Sequence, residues 1–291
     1  MLIEHSVENE ITVPAFASAF ECRIGSDFFF AGEAHDPWEL VYVISGSINV
    51  TADTKVFHLT EGDIILHKPR EFHSLAPARN STAHVFIMSF TLCGRLAKKL
   101  ENCVVKLNPS QQDIMSLLIT SFRTDDSSNE LTHLPDYFGH WLLNPIAAQI
   151  AKNYAEILFL DIIQSSNKPK PVYNTRSAEV YHNIIFIMTE RIYEWITIEE
   201  IAKYCNFSPA YIKKIFAQHS ECGIHSYFLK MKLQKAVLLM RNGKSVQQTS
   251  NLLSFSNTNY FSVVFKREFG MSPRNYMKQY IENSNEKREG L

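Results

Sequence analysis

Short apolar runs separated by polar turn formers dominate the first ninety residues. Leu40-Val41-Tyr42-Val43-Ile44, Ile48-Asn49-Val50-Thr51, Asp63-Ile64-Ile65-Leu66 and His84-Val85-Phe86-Ile87-Met88-Ser89-Phe90 are rich in β-branched or aromatic residues, and Phe28-Phe29-Phe30 is a shorter aromatic run. Ser45-Gly46-Ser47, Ala52-Asp53-Thr54 and Glu61-Gly62-Asp63 read as the turns between them. Even spacing of short strands with polar turns predicts an antiparallel sandwich or barrel. From Pro109 the period lengthens. Ile114, Leu117, Leu118 and Phe122 fall on one face of a helix. After a polar loop, Thr124 to Asn129, the residues Ile146, Ile150, Tyr154 and Ile157, with Leu158 alongside, mark a second helix. That helix either packs on the barrel or pairs subunits.

Ser165-Ser166-Asn167-Lys168-Pro169-Lys170-Pro171 breaks the pattern. Two prolines exclude helix and the small polar residues exclude a core, so 165–171 reads as an interdomain linker. The expected organisation is a β-barrel over 1–108, a helical packing or dimerisation segment over 109–164, the linker, and an all-α domain over 172–291. Helix starts are written into the last part: Thr197 with Glu200 as a capping box, Ser208-Pro209, Ser245 and Ser272-Pro273, with Asn242-Gly243 as a helix end.

Charge adds a direction. The net charge of −1 hides an asymmetry: residues 1–171 carry 13 Lys/Arg against 20 Asp/Glu, while residues 172–291 carry 16 against 10. An acidic half joined to a basic half suggests that the basic half meets a polyanion. The N-terminus lacks the basic start and apolar core of a signal peptide, and no apolar run approaches the roughly 18 residues of a membrane span. The 5 cysteines are scattered without a C-x-x-C pair, which fits neither a disulfide framework nor a zinc finger. A cytoplasmic protein without a membrane partner is expected.

The basic half repeats itself. At an offset of 48, Ile198, Phe207 and Ser208 recur as Val246, Phe255 and Ser256; at 49, Tyr211, Ile212, Phe216 and Tyr227 recur as Tyr260, Phe261, Phe265 and Tyr276. A short helix, a tight turn and a second helix, present twice, predict two helix-turn-helix units. In the first, Ile212, Ile215 and Phe216 form the inward stripe and leave Ala210, Lys213, Lys214 and Gln218 outside. In the second, Tyr260, Phe261, Val264 and Phe265 are expected inside, with Thr258, Asn259, Ser262, Val263 and Lys266 outside. Small polar or cationic side chains on a helix that fits the major groove can reach base edges. Lys266, Arg267 and the capped helix N-termini suit phosphates.

The stretch FSNTNYFSVVFKREFGMSPRNYMKQ, Phe255 to Gln279, resembles the signature of the AraC/XylS family of bacterial transcription regulators, and TIEEIAKYCNFSPAYIKKIF, Thr197 to Phe216, matches the same family. The resemblance covers about residues 177–280. It implies two helix-turn-helix motifs joined by a long helix and entering successive major grooves of double-stranded DNA. The family's base-reading positions fall on Ala210, Lys213 and Lys214, and on Thr258, Asn259, Ser262 and Val263. Thr249-Ser250 stand where the family often has Ile-Ala, Ser254 and Glu221 where it has Gly, and Lys232 where it often has Arg.

The acidic half resembles the cupin barrel at the N-terminus of many such regulators, over residues 15–90. His35, Glu39 and His73 fall on three of the four positions at which cupin enzymes hold a metal; Glu33 occupies the first His position, and Glu71 replaces a Gly. Neither a metal nor a cofactor is therefore expected. His35, Trp38, Glu39 and His73 are the candidate effector-binding residues, for a small polar metabolite such as a sugar. The resulting expectation is a non-enzymatic, homodimeric, effector-responsive DNA-binding regulator, an activator by resemblance, with RNA polymerase as a further partner the family allows. The rival readings are a metal-dependent cupin isomerase or dioxygenase, and a DNA-binding protein whose barrel only dimerises.

Overall fold

The computed structural model describes the chain apart from residues 1–4, 7, 26–27, 29, 31, 54, 79–80, 123–144, 166–175, 221 and 290–291. The expected linker beyond Ser165, the Thr124–Asn129 loop, Glu221 and most of the first five residues therefore lie outside the described residues. The chain divides into two compact units, 1–174 and 175–291.

The first unit is an antiparallel sheet of seven strands: β1 (Thr12–Ile24), β2 (Trp38–Ala52), β3 (Lys55–Thr60), β4 (Asp63–His67), β5 (His73–Pro77), β6 (Ala83–Cys93) and β7 (Val104–Lys106). The strand order is β1-β6-β2-β4-β7, with β3 and β5 also on β2, and it does not close on itself among the described residues. The long β2 organises it. Its first half pairs with β4 and β6, its second half with β3 and β5.

Its apolar run is nearly unbroken because both faces are covered. Leu40 and Tyr42 join one buried cluster with Phe86, Met88 and Phe90; Val41 and Val43 join the other with Ile65, Val85 and Ile87. Two helices, α1 (Pro109–Phe122) and α2 (Pro145–Gln164), complete the first cluster with Met115, Leu118, Leu158 and Phe159. The Glu156 carboxylate fastens α2 to β1, accepting from Thr12 Oγ1 at 2.9 Å and from the Val13 amide at 2.8 Å.

Three expectations need correction. Ser45-Gly46-Ser47 is not a turn between strands but part of β2, where the pairing with β6 slips between Val43 and Ser45. Gly46 has φ +79, and a Cβ there would stand 2.0 Å from the Thr82 carbonyl oxygen. A bulge re-aims the strand and needs glycine for the close approach. Phe28 and Phe30 lie outside any strand and pack on the second cluster. The helical stripes are also displaced. On α1 the buried residues are Gln111, Met115, Leu118 and Ile119, with Leu117 exposed. On α2 they are Ala151, Ala155, Leu158, Phe159 and Ile162, so Ile146, Ile150 and Ile157 form an outer face, 72%, 42% and 50% exposed.

The second unit is helical: α3 (Arg176–Glu190), α4 (Ile198–Tyr204), α5 (Pro209–His219), α6 (Ile224–Arg241), α7 (Val246–Leu252), α8 (Thr258–Phe269) and α9 (Pro273–Glu289). Thr197 and Glu200 form the expected capping box on α4, and Ser245 and Gln248 form one on α7. Ser208 caps α5 with Pro209 at its first turn, Asn257 caps α8, and Gly270 ends α8 in the left-handed conformation.

Candidate effector site and nucleic-acid face

The internal repeat is a repeat of backbone geometry. In the turn between α4 and α5, Asn206 is left-handed (φ 58) and the Phe207 amide donates to the Ala202 carbonyl at 2.9 Å. At the same offset of 48, Ser254 is left-handed (φ 56) and the Phe255 amide donates to the Ser250 carbonyl at 3.0 Å. Asn tolerates this conformation better than Ser, which is the physical meaning of the missing glycine at 254.

Each turn presents a helix with one face buried. Ile212, Ile215 and Phe216 are buried on α5, while Ala210, Lys213, Lys214 and Gln218 are exposed. Phe261, Val264 and Phe265 are buried on α8. Asn259, Val263, Lys266 and Arg267 are exposed, and Thr258 and Ser262 are half-buried. Tyr260 corrects the expected stripe: it is 40% exposed, because the position before Phe261 lies about 100° round the helix from it. The Ser262 hydroxyl donates to the Thr258 carbonyl at 2.8 Å, so it is engaged by its own helix. Val263 is 67% exposed, an apolar side chain held out in water.

The linking helix α6 carries a buried cation. Lys232 is fully buried and its Nζ donates to the carbonyls of Ile192 at 2.7 Å and Leu253 at 3.0 Å, tying the approach to α4 to the end of α7. Burial lowers its pKa to about 8, against a smaller opposing pull from Glu194. In the sequence, position 232 stands out only as a departure from Arg, and nothing there marks it as a clamp.

In the first unit, Glu33, His35, Glu39 and His73 converge, with their ligand-type atoms all within 4.8 Å of one another. Glu39 projects from β2 and His73 from the start of β5, while Glu33 is held to His73 by two backbone hydrogen bonds of 2.9 Å. Glu39 Oε2 lies 3.3 Å from His35 Nε2 and Oε1 lies 3.3 Å from His73 Nε2; Glu33 Oε1 lies 3.8 Å from His35 Nε2. Ser89, the cross-strand neighbour of Glu39, donates to its Oε2 at 3.1 Å, and Ser18 donates to Ser89 at 2.9 Å.

Behind His73, His67 stacks at 4.5 Å between ring centroids and its Nδ1 meets Glu71 Oε2 at 2.7 Å. The Glu71 that replaces the expected Gly is thus a buried partner of His67. Burial alone would raise the Glu39 carboxyl, but the charge on His73 and the hydrogen bond from His35 outweigh it and hold it well below the usual carboxylate range. Burial pulls His73 down, yet Glu39 beside it pushes it up to about 9.

Trp38 is a correction. Successive side chains on a strand point to opposite faces, and Trp38 packs in the cluster of Leu40 and Tyr42, away from Glu39. Glu33 and Ser89 take its place in the site. Ser89 had left a signal, a lone hydroxyl within the apolar run of β6.

Two family profiles match the chain, one described as an AraC-like ligand binding domain over residues 19–117 and one as a helix-turn-helix domain over residues 201–279. The HTH-type transcriptional regulator YpdC of Escherichia coli is 27% identical over 115 residues, 39% of this chain and 40% of that protein. The Msm operon regulatory protein of Streptococcus mutans is 28% identical over 125 residues, 43% of this chain and 42% of that one. The matched stretches thus span less than half of these relatives. Among solved structures, ToxT from Vibrio cholerae aligns with 92% of this chain and 97% of its own at 14% identity and a TM-score of 0.36. A ligand-binding profile followed by a helix-turn-helix profile, over the two stretches that the turn geometry and the buried polar cluster single out, is the family's arrangement: the chain belongs to the AraC/XylS family of transcription regulators.

Proposed function

We propose that the chain is a sequence-specific regulator of transcription that binds double-stranded DNA through α5 and α8 and responds to a small polar effector in its N-terminal unit. The observation that carries the reading is the duplicated turn: two left-handed residues 48 positions apart, each launching a helix whose outer face is polar and cationic. Lys213 and Lys214 on α5 and Lys266 and Arg267 on α8 suit phosphates and guanine edges; Asn259 suits an adenine edge and Val263 a thymine methyl. The two relatives are named as regulators, which supports a regulatory rather than an enzymatic role, and activation is the sign the family resemblance implies.

The Msm protein is named for an operon, and a metabolite signal fits such a role. With Trp38 in the core, the effector site we propose is the polar set His35, Glu39, His73 and Glu33, and a sugar has no Trp38 ring to stack on there. The outer face of α2 supports a homodimer, since Ile146, Ile150 and Ile157 are exposed together on one helix. RNA polymerase remains the partner an activator needs. Among the described residues no helix is long and apolar enough to cross a membrane, in keeping with action on DNA in the cytoplasm.

The test is a binding titration on DNA upstream of the gene and its neighbours, over a salt series. Affinity should fall with salt at a log–log slope of about −0.9 per phosphate neutralised. Asn259→Ala should cost about 1–3 kcal/mol on the cognate site and relax its preference at one base pair, while Lys266→Ala should weaken all sequences alike and flatten the slope by about one. Full-length protein without affinity for these fragments at low salt would refute the reading.

A further inference from the structure

The internal repeat puts a tyrosine at the same place on α5 and α8. Tyr211 is the third residue of α5, and its amide donates to the capping Ser208 Oγ at 3.2 Å. Tyr260 is the third residue of α8, and its amide donates to the capping Asn257 Oδ1 at 2.7 Å. The stretch from Phe255 to Tyr260 is one residue longer than that from Phe207 to Tyr211, yet each tyrosine keeps its place relative to the cap. Each ring also packs on the phenylalanine whose amide closes the turn. Tyr211 lies 4.9 Å from Phe207 and Tyr260 lies 6.2 Å from Phe255, between ring centroids. Backbone and ring are thus both held by the turn that launches the helix.

The rings are anchored, but the hydroxyls are not used. Tyr211 is half-buried and Tyr260 is 40% exposed. Among the described residues neither hydroxyl has a hydrogen-bond partner. Each residue of a helix turns the side-chain direction by about 100°. Tyr211 therefore stands between the buried Ile215 and the exposed Lys214 and Gln218, and Tyr260 between the buried Val264 and the exposed Val263 and Arg267. Both occupy the same flank of the outer face rather than its middle. A helix with its side chains is about 10–12 Å across and the major groove is about 12 Å wide. The middle of an inserted face then meets base edges, and its flank meets the groove wall, which is the phosphodiester backbone.

We infer that Tyr211 and Tyr260 each donate their hydroxyl to a phosphate oxygen on the wall of the groove that α5 or α8 enters. Tyrosine is among the side chains that make such contacts, which fix register without reading sequence. The inference rests on the DNA-binding reading and adds to it one uncharged anchor per helix, repeated at the spacing of the two units.

The full-length chain is titrated by fluorescence anisotropy over a salt series, against the upstream fragment it binds most tightly and an unrelated duplex of equal length. Tyr211→Phe and Tyr260→Phe keep the ring and lose only the oxygen. Each should weaken binding about 10-fold, as expected for a hydrogen bond to a charged acceptor, and by the same factor on both duplexes. A phenol hydroxyl is an uncharged donor and releases no counterion, so the log–log salt slope should keep its wild-type value, unlike that of Lys266→Ala. The melting temperature should not change, since the oxygen has no partner within the chain. Single methylphosphonates scanned through the cognate duplex should locate the two acceptors about 10 base pairs apart on one face of the DNA. At each of them the binding penalty should shrink about 10-fold in the matching variant only. Wild-type affinity in both variants overturns the inference. So does a loss confined to the cognate duplex, which makes the tyrosine a base reader, or a lowered melting temperature, which gives the hydroxyl an internal partner. A wild-type chain without affinity for either duplex instead refutes the DNA-binding reading, and this inference with it.

Discussion

The second helix-turn-helix unit buries two hydroxyls that its first counterpart does not have. Thr249 and Ser250 are 0% exposed, and among the described residues neither Thr249 Oγ1 nor Ser250 Oγ has a hydrogen-bond partner. At the matching positions 48 residues earlier stand Ile201 and Ala202, each 1% exposed. A buried hydroxyl without a partner costs about 1–3 kcal/mol relative to an apolar group of the same shape. Ser250→Ala removes the oxygen and gains about half a kcal/mol of helix propensity, for an expected stabilisation of about 1–2 kcal/mol. Thr249→Val replaces the hydroxyl by a methyl of similar volume and should add about 1–2 kcal/mol. The two are neighbours, so the double variant should gain about 2–3 kcal/mol rather than the full sum. Hydrogen exchange with mass spectrometry on the intact chain reads this locally, in peptides covering α7 and α8. A gain of about 2 kcal/mol slows their exchange roughly 30-fold, and peptides of β2 and β6 should not change. DNA affinity should hold or improve, since neither side chain reaches the outer face. If exchange in α7 and α8 is unchanged or faster, the two hydroxyls are satisfied and the contrast between the units has another origin.

Lys232 supplies a pH dependence. Its pKa is lowered from an ordinary 10.5 to about 8, so between those values the unfolded chain binds more protons and stability of the second unit rises with pH. Urea titrations should show a gain of about 2 kcal/mol from pH 7.5 to 9.5 that Lys232→Met lacks; equal slopes would place the amine in contact with water. The same substitution leaves the carbonyls of Ile192 and Leu253 without their donor and should cost about 2 kcal/mol at pH 7, measured by melting. On α2, Ile146→Asp with Ile150→Asp should convert a dimer to a folded monomer in light scattering, and a wild-type chain that is monomeric at tens of micromolar would remove α2 as a pairing helix.

How far the sequence could be read depended on whether a segment's environment was one-sided. The helices of the second unit bury a single stripe, so caps located the starts of α4, α5, α7 and α9 and the end of α6, and periodicity located the outward positions on α5. The strands around β2 are covered on both faces, so alternation carries no sign there. Ser45-Gly46-Ser47 was indistinguishable from a turn because a bulge demands the same small residues. In the first half of α2, Ala151 and Ala155 are buried while Ile146 and Ile150 face out, which inverts the usual rule that the larger apolar residue marks the buried side. The site suffered from the same ambiguity: Trp38 and Glu39 are adjacent in sequence and on opposite faces of the sheet, and only pairing with β6 tells which face holds Ser89.

The two helices proposed to face DNA are not equivalent, and the difference follows from what surrounds them. On α5 two adjacent lysines, Lys213 and Lys214, occupy the outer positions, whereas the first turns of α8 present Thr258, Asn259, Ser262 and Val263, all uncharged, with the cations Lys266 and Arg267 placed further along. Long-range attraction falls off over a Debye length of about 10 Å, and short-range complementarity acts only at contact. A unit rich in lysine therefore contributes most to capture and orientation, and a unit that offers an amide and a methyl contributes most to discrimination between bases. The unit assigned to discrimination is also the one whose turn places Ser in a left-handed conformation and whose core holds two unpartnered hydroxyls. Both features are expected to lower its local stability, so that binding to a cognate site would have to order what a non-cognate site leaves loose. Local instability in α7 and α8 would in that way sharpen the difference between sites, since only contacts made on the right sequence repay the ordering of the second unit.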